Sequence, residues 1–431
     1  MRKLPAALLI SLLLVVPLLR ADEVVPVDPP PRWWKGNLHT HTLWSDGDDF
    51  PEMVAEWYRD RGYQFLALSD HNVLSQGQRW MKVSDVELRG GKAPLEKYLA
   101  RFGDKWVETR GGESEATPRQ VRLKPLSEFR SVVEERGRFI LIQSEEISDG
   151  FESLPIHLNA TNVLEVIKPQ HGTSVANTIE NNIRAVDEQS KRAGQEMLPH
   201  LNHPNFGWAV TAEDIAEVVS DHFFEVFNGH PLVHETGDDA HASIERMWDI
   251  ANVLRIKRFN APPLYGLATD DSHHYHFPGK SRSSPGRGWI MVRARHLTPE
   301  SLLRAMKSGD FYASSGVTLR EVRFDPQSRE LTIQVEPDAD AIFTTRFVGT
   351  QPDADIAPLH SAATTQPHVT QRYSDEIGTT FATVEGTIAT YHLTGNELYV
   401  RAIITSSKLH PNPSWDDQHQ QAWTQPVGWA K

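Results

Sequence analysis

Short apolar runs of strand length recur along most of this chain, and amphipathic stretches of helix length separate them. The runs are GNLHTHT (36–42), QFLALSDHN (64–72), FILIQSEEIS (139–148), PIHLNATN (155–162), MLPHLNHP (197–204), FFEVFNGH (223–230), YGLATDDSHH (265–274) and GWIMVRA (288–294). A helix is expected from Pro51, with Met53, Val54, Trp57 and Tyr58 on one face. Others are expected in LSEFRSVVEERG, IENNIRAVDEQSKRAG, TAEDIAEVVS, ASIERMWDIANVLRIK and PESLLRAMKSG. Strand and helix in alternation are the pattern of βα units around a parallel sheet, so the fold class is α/β.

The ionisable residues in these runs are not scattered. In GNLHTHT, FLALSDHN, LIQSEEIS, LPHLNHP and GLATDDSHH they sit at the carboxyl end of the apolar stretch. In a parallel barrel those ends meet at one face, where active sites are built. His39 and His41, two residues apart, point to the same side of an extended strand and can hold one cation. Asp46, Asp70, His71, Glu145, Glu146, His157, His200, His203, Asp271 and His273 follow at later positions. Mixed imidazole and carboxylate ligands suit zinc, manganese or iron, and so many of them imply more than one metal.

Composition narrows the rest. The chain has no cysteine, which removes disulfides, a thiolate nucleophile and a cysteine zinc site. Its formal net charge of -13 argues against nucleic acid as a partner, whose binding rests on lysine and arginine contacts to phosphates. The amino terminus places Arg2 and Lys3 before the apolar run LPAALLISLLLVVPLL, the form of a secretory signal peptide over residues 1–21. A proline-rich linker follows over 22–32, and the expected location is secreted or periplasmic, with no membrane contact once the signal is removed.

The ordered set H-x-H with SDG, then SDHN, a glutamate before IS, a lone histidine, NHP and D-x-H resembles the PHP (polymerase and histidinol phosphatase) superfamily. The likeness spans about residues 33 to 311. It implies a distorted seven-stranded (β/α) barrel with a centre of three divalent metal ions that hydrolyses phosphate esters. Carried over by position, His39, His41, Glu146 and Asp271 would hold the first ion. Glu146 would bridge to a second with His157 and His203, and Asp46, His71 and His273 would hold a third. Some members have histidine where this chain has Asp46. Of the pairs Glu145/Glu146 and Asp270/Asp271, only one residue each should reach the metals, because neighbours on a strand face opposite ways.

A water bridging two such cations loses its proton more easily than bulk water and can attack phosphorus without a side-chain nucleophile. His39, His41, Glu146, Asp271 and His273 are accordingly the expected catalytic group. Asp70 and Asp270 are expected to orient ligands. Arg282 and Arg287, in SRSSPGRGW just past D-x-H, and His230 are expected to contact a small phosphorylated substrate, with His230 or His274 donating a proton to the leaving group. Asn159, Asn202 and Asn228 are further candidates for substrate contact.

The barrel is expected over 33–317, interrupted by a mixed-charge insertion at 76–125 rich in Gly, Lys and Arg. Beyond it, LREVRFDPQ, LTIQVEP, AIFTTRFVG, TYHLTG and ELYVRAIITS predict a small β-sandwich-like domain over 318–431. Two other readings stand beside a phosphoesterase. One is a metal-dependent amide or lactone hydrolase. The other is a carbohydrate-binding or surface protein that uses Trp415 and Trp423 in the tail, with the barrel as scaffold.

Overall fold

The computed structural model describes residues 28–112, 114–359 and 368–429. The expected signal peptide and residues 22–27 of the linker lie outside them. No helix among the described residues is long and apolar enough to cross a membrane.

The strands Arg32–Asn37, Phe65–Leu68 and Ile140–Phe151 lie side by side and parallel. Gly36 makes the first contact possible, since a Cβ there would come within 2.2 Å of the Phe65 ring. Ile140–Phe151 then turns back directly into Leu154–Thr161, pairing from Phe151↔Leu154 to Ser144↔Thr161. Leu198–Leu201 is antiparallel to Leu154–Thr161 and parallel to Phe223–Asn228, which is parallel to Tyr265–Thr269. The sheet is therefore mixed, not parallel throughout as the alternation suggests. The join at Glu152, itself in the left-handed region at φ 54°, is too short for the crossover that a parallel neighbour needs.

Past Thr269 the last of these strands meets the continuation of the first. Thr40 bridges Ser272 in parallel, His41 N–H donates to Ser272 O at 3.0 Å, and Asp271 N–H donates to His39 O at 3.1 Å. Leu38, Phe65, Ile142, Leu198, Phe223 and Leu267 from these strands pack into one buried cluster with Ile290 and Phe311. Each such side chain contributes roughly 1.5–3 kcal/mol by leaving water. Helices pack outside, with ends set by local chemistry: Ser174 caps Val175–Ala193 by accepting from Asn177 N–H, and Gly194 at φ 62° ends it.

Residues 76–125 form a folded module. Two helices, Val83–Gly90 and Ala93–Phe102, stand beside the antiparallel strands Arg79–Lys82, Thr109–Arg110 and Gln120–Leu123. Val86, Leu95, Tyr98 and Val121 make its core, which docks on Leu43, Trp44 and Phe50.

The tail is joined to the rest by hydrogen bonds. Phe311–Ser314 pairs with Trp289–Ala294 on one side and with His419–Thr424 on the other, so one sheet passes from the strands before Thr269 to the tail strands. It continues through Tyr399–Leu409, Phe343–Thr350 and Thr379–Glu385. A second sheet of Leu319–Asp325, Glu330–Val335 and Ile388–His392 shares a core with it around Leu331, Ile333, Phe347 and Ile404. Trp415 and Trp423 both pack against Phe227, and Trp423 Nε1 donates to Glu245 at 2.6 Å. They pack where the tail meets the strand Phe223–Asn228 and the helix Ile244–Arg258.

Candidate metal centre

The nine residues expected as ligands all come together at the carboxyl face. Their ligand atoms fall into four overlapping groups: His39, His41 and Glu146; His39, His203 and Asp271; His71, Glu146 and His157; and His41, Asp46, His71 and His273. Two features differ from the expected division: His41 and His71 are shared between groups, and His203 falls with His39 and Asp271 instead of with Glu146 and His157. His157 sits near the start of its strand, against the rule that ligands lie at carboxyl ends. Its strand runs antiparallel, so its beginning lies at the shared face, opposite Ser148.

Distances test whether these atoms suit a cation. His39 Nε2 lies 3.4 Å from Glu146 Oε1 and 3.2 Å from Asp271 Oδ1. His41 Nε2 lies 3.4 Å from Glu146 Oε2 and 3.1 Å from Asp271 Oδ1. Ligand atoms around a tetrahedral ion with bonds of about 2.0–2.1 Å stand roughly 3.3–3.4 Å apart. Nε2 of His39, Nε2 of His41, Oε2 of Glu146 and Nδ1 of His157 are buried without a hydrogen-bond partner. Four orphaned polar atoms in one cluster carry a desolvation cost that a cation would offset. The residues present therefore fit divalent metal ions.

Electrostatics agree. Burial opposes charge on Glu146, yet the imidazoles of His71, His39 and His157 hold its carboxyl well below the usual range. Asp271 is held low in the same way by His39, His41 and His273 against the effect of burial. Burial, with His273 and His71 beside it, pushes His41 down to about 3, so its ring is neutral. Asp271 occupies the left-handed region at φ 48°, which costs a non-glycine residue on the order of 1 kcal/mol. That backbone is locked by the bond from Asp271 N–H to His39 O.

Around these groups lies a layer that fixes them. Glu225 accepts from His39 Nδ1 at 2.7 Å, from His203 N–H at 2.8 Å, from Asn228 at 2.8 Å and from Thr269 at 2.7 Å. His39 is thereby held with Nε2 free for the centre. His273 Nδ1 donates to Asp271 O at 2.9 Å, which frees its Nε2 likewise, 3.4 Å from Asp46 Oδ1. Asn202 donates to Glu146 Oε1 at 2.8 Å, and Asn159 donates to Leu38 O at 2.9 Å. The three asparagines are buried supports of the ligands and are not placed for substrate. Glu225 was not among the expected residues. Its signal was available as a lone carboxylate inside the otherwise apolar FFEVF.

Several expectations are corrected. Arg287 is buried, and its guanidinium donates to the carbonyls of Gly229, Arg282, Gly279, Asn412 and Pro413, so it ties loops together and cannot reach substrate. Asp70 orients no imidazole directly. It accepts from the amides and hydroxyls of Thr42 and Ser45 and so shapes the loop that carries Asp46. Asp270 accepts from the amides of Gly286, Arg287 and Gly288 and from Tyr58 Oη, facing away from the metals. Glu145 likewise turns away and accepts from Ile167 N–H at 2.6 Å. His200 is buried beneath the centre, 3.6 Å from Glu225.

Two expected substrate contacts remain at the face. His230 stands with its ring 5.7 Å from that of His273, and its Nδ1 accepts from Leu232 N–H at 3.2 Å, leaving Nε2 to carry the proton. Burial pushes it down to about 4, so it is a neutral hydrogen-bond donor and not an imidazolium acid. Arg282 is exposed, and its charge is felt by His274 beside the centre.

No protein-family model matches the chain, and no curated protein matches it. Solved structures similar to it include the following two. One is a two-domain protein from Bacteroides vulgatus containing a predicted PHP-like metal-dependent phosphoesterase, 14% identical over 92% of this chain and 95% of that one, TM-score 0.37. The other is a candidate metal-dependent phosphoesterase from Bifidobacterium adolescentis, 12% identical over 58% of this chain and 91% of that one, TM-score 0.30. At such scores the chemistry rests on the side chains alone.

Proposed function

We propose that this chain is an exported metal-dependent phosphoesterase of PHP type, acting on a small organic phosphate ester. The observation that carries it is the convergence of nine imidazoles and carboxylates, four of whose ligand atoms are buried and unpartnered, with the nitrogens of His39 and His41 standing 3.1–3.4 Å from oxygens of Glu146 and Asp271. The seven strands from Arg32–Asn37 to Tyr265–Thr269, joined end to end by the Thr40–Ser272 bridge, form the barrel of this reading.

His39, His41, Glu146 and Asp271 would hold one cation, Glu146 with His157 and His203 a second, and Asp46, His71 and His273 a third, with His71 also within reach of Glu146. Bound divalent ions supply Lewis-acid polarisation of a phosphoryl oxygen and a water of lowered pKa. The protein's share is geometric. Glu225 and the Asp271 carbonyl fix the tautomers of His39 and His273, while Asn202 turns the Glu146 carboxylate. His230 Nε2–H offers a hydrogen bond to an ester or leaving-group oxygen, and exposed Arg282 offers a positive charge at the rim. The apolar run near the amino terminus supports export.

The test is elemental mass spectrometry of chelator-free protein followed by a screen of phosphate mono- and diesters, amides and lactones. About three ions per chain with phosphate release supports the reading. Folded protein that takes up no zinc or manganese overturns it, and amide or lactone turnover without phosphate release moves the chemistry to the other bond.

A further inference from the structure

The 76–125 module touches the metal face through one side chain in particular. Arg89, near the end of the Val83–Gly90 helix, donates from Nη1 to Ser45 O at 2.6 Å and to Gly47 O at 3.1 Å. These are the residues on either side of Asp46. Neighbouring contacts seat the module on the same loops. A Cβ on Gly90 would stand 2.9 Å from Asp48 O, and Lys97 Nζ lies 3.2 Å from Nδ1 of His276, three residues past His273. Other arginines of the module are spent differently: Arg101 pairs with Glu56, and Arg122 with Glu108 and Glu128.

Asp46 needs such support more than any other ligand. Its side chain is 53% exposed, whereas those of Glu146 and Asp271 are 1% and 7%. It comes from a loop, while most of its fellow ligands lie on or directly beyond strands. A carboxylate on a loose loop must be ordered when the cation binds, and that cost comes out of the affinity. A guanidinium gripping both flanking carbonyls meets the cost in advance.

We propose that Arg89 is a positioning residue through which the 76–125 module sets the affinity of the outer cation site formed by Asp46, His71 and His273. The inference rests on the metal-centre reading above and adds to it a role for a segment that reading leaves idle. Arg89 touches neither metal nor substrate in this scheme. Its effect passes through the Ser45–Gly47 backbone to Asp46.

The test titrates manganese into metal-stripped full-length protein and follows with elemental analysis of wild type, Arg89→Ala, Arg89→Lys and Leu88→Ala. Leu88, 86% exposed on the same helix, is the neighbour control. The expected result is that Arg89→Ala weakens the last ion by about tenfold or more, the size seen when supports of metal ligands are removed, and leaves the tighter ions in place. Arg89→Lys should recover part of that affinity, and Leu88→Ala should match wild type. Wild-type affinity for every ion in Arg89→Ala overturns the proposal. Wild-type protein that takes up no ions at all overturns the metal reading instead. Hydrogen exchange over residues 43–49 then decides the loop claim: faster exchange in Arg89→Ala retains the grip on the loop, and equal rates remove it.

Discussion

Nδ1 of His39 lies 2.7 Å from Oε1 of Glu225, a residue 186 positions further along the chain, and both side chains are wholly buried. The contact fixes which nitrogen of His39 faces the centre, and burial of the pair makes it sensitive to loss of charge. His39 is held well above its ordinary pKa against burial by Asp271, Glu225 and Glu146, so in metal-free protein it carries the proton that a cation would displace. Glu225→Gln keeps the volume and removes the charge. The expected outcome is a metal affinity lower by about 10- to 100-fold with the fold retained, read by competition with a chelator and by circular dichroism. An unchanged affinity would show that His39 needs no carboxylate behind it.

The ligand groups overlap unequally, which separates two substitutions. Glu146 belongs to two of the four groups, and Asp46 to one. Glu146→Gln should therefore cost more bound metal than Asp46→Asn, and the exposed Asp46 should be replaced with little change in melting temperature. Elemental analysis beside thermal unfolding checks both, and equal losses from the two variants would contradict the bridging role of Glu146.

Much of this centre was legible in the chain because strand periodicity puts functional groups in register. His39 and His41 share a side by their spacing, and Glu146 faces inward while Glu145 faces out, as alternation along a strand requires; Asp270 and Asp271 divide in the same way just past the end of theirs. What was not legible depends on neighbours far away in sequence. Arg287 reads as an anion contact from its loop composition, yet its partners Gly229, Asn412 and Pro413 come from other parts of the chain. The antiparallel turn at Glu152 and the strand His419–Thr424 were hidden for a different reason. One needs a left-handed residue that is not glycine, and the other is a polar run, HQQAWT, that becomes a strand by pairing with Phe311–Ser314.

Arg282 and Arg287 sit in one loop and should behave oppositely. Arg287→Ala leaves several buried carbonyls without a donor, each costing about 1–3 kcal/mol, and should lower the melting temperature markedly. Arg282→Ala should leave stability unchanged and raise KM for an anionic ester by about tenfold, the worth of one charge-assisted hydrogen bond. Steady-state kinetics and thermal denaturation on the same preparations separate the two. A stable Arg287→Ala protein would restore the substrate reading of that residue.

Glu52 gives a pH signature away from the metals. Its carboxyl is buried at the start of the Pro51–Arg59 helix and accepts from Tyr98 Oη at 2.6 Å and Trp106 Nε1 at 3.1 Å, while its other oxygen has no partner. Burial pushes it up to about 7 in spite of those bonds. The folded state therefore keeps the proton to higher pH than the unfolded chain, whose glutamate titrates near about 4.3. Below that value both states are protonated and nothing is lost. Between it and about 7 the unfolded chain gives up its proton first, so stability falls as pH rises, by on the order of 3 kcal/mol in total. Glu52→Gln removes this group's titration. Urea unfolding at pH 5 and pH 8 should show the variant losing less stability than wild type across that interval, and parallel losses in the two proteins would mean Glu52 is already ionised in the fold.

The tail and the part of the chain before it are joined by a buried ion pair as well as by a shared sheet. Asp249, on the Ile244–Arg258 helix, accepts from Arg401 Nη2 at 2.7 Å and Nε at 3.0 Å and from Tyr399 Oη at 2.7 Å. Arg401 is 1% exposed, so removing its partner strands a buried charge. Asp249→Ala should cost about 3–5 kcal/mol, the usual penalty for breaking a buried pair from one side. Because Phe311–Ser314 hydrogen-bonds to strands of both parts, the loss should lower a single unfolding transition that includes both. Calorimetry decides the point: one transition moved to lower temperature is expected, whereas a tail that melts early while the transition of the other part stays in place would show that the sheet does not couple them.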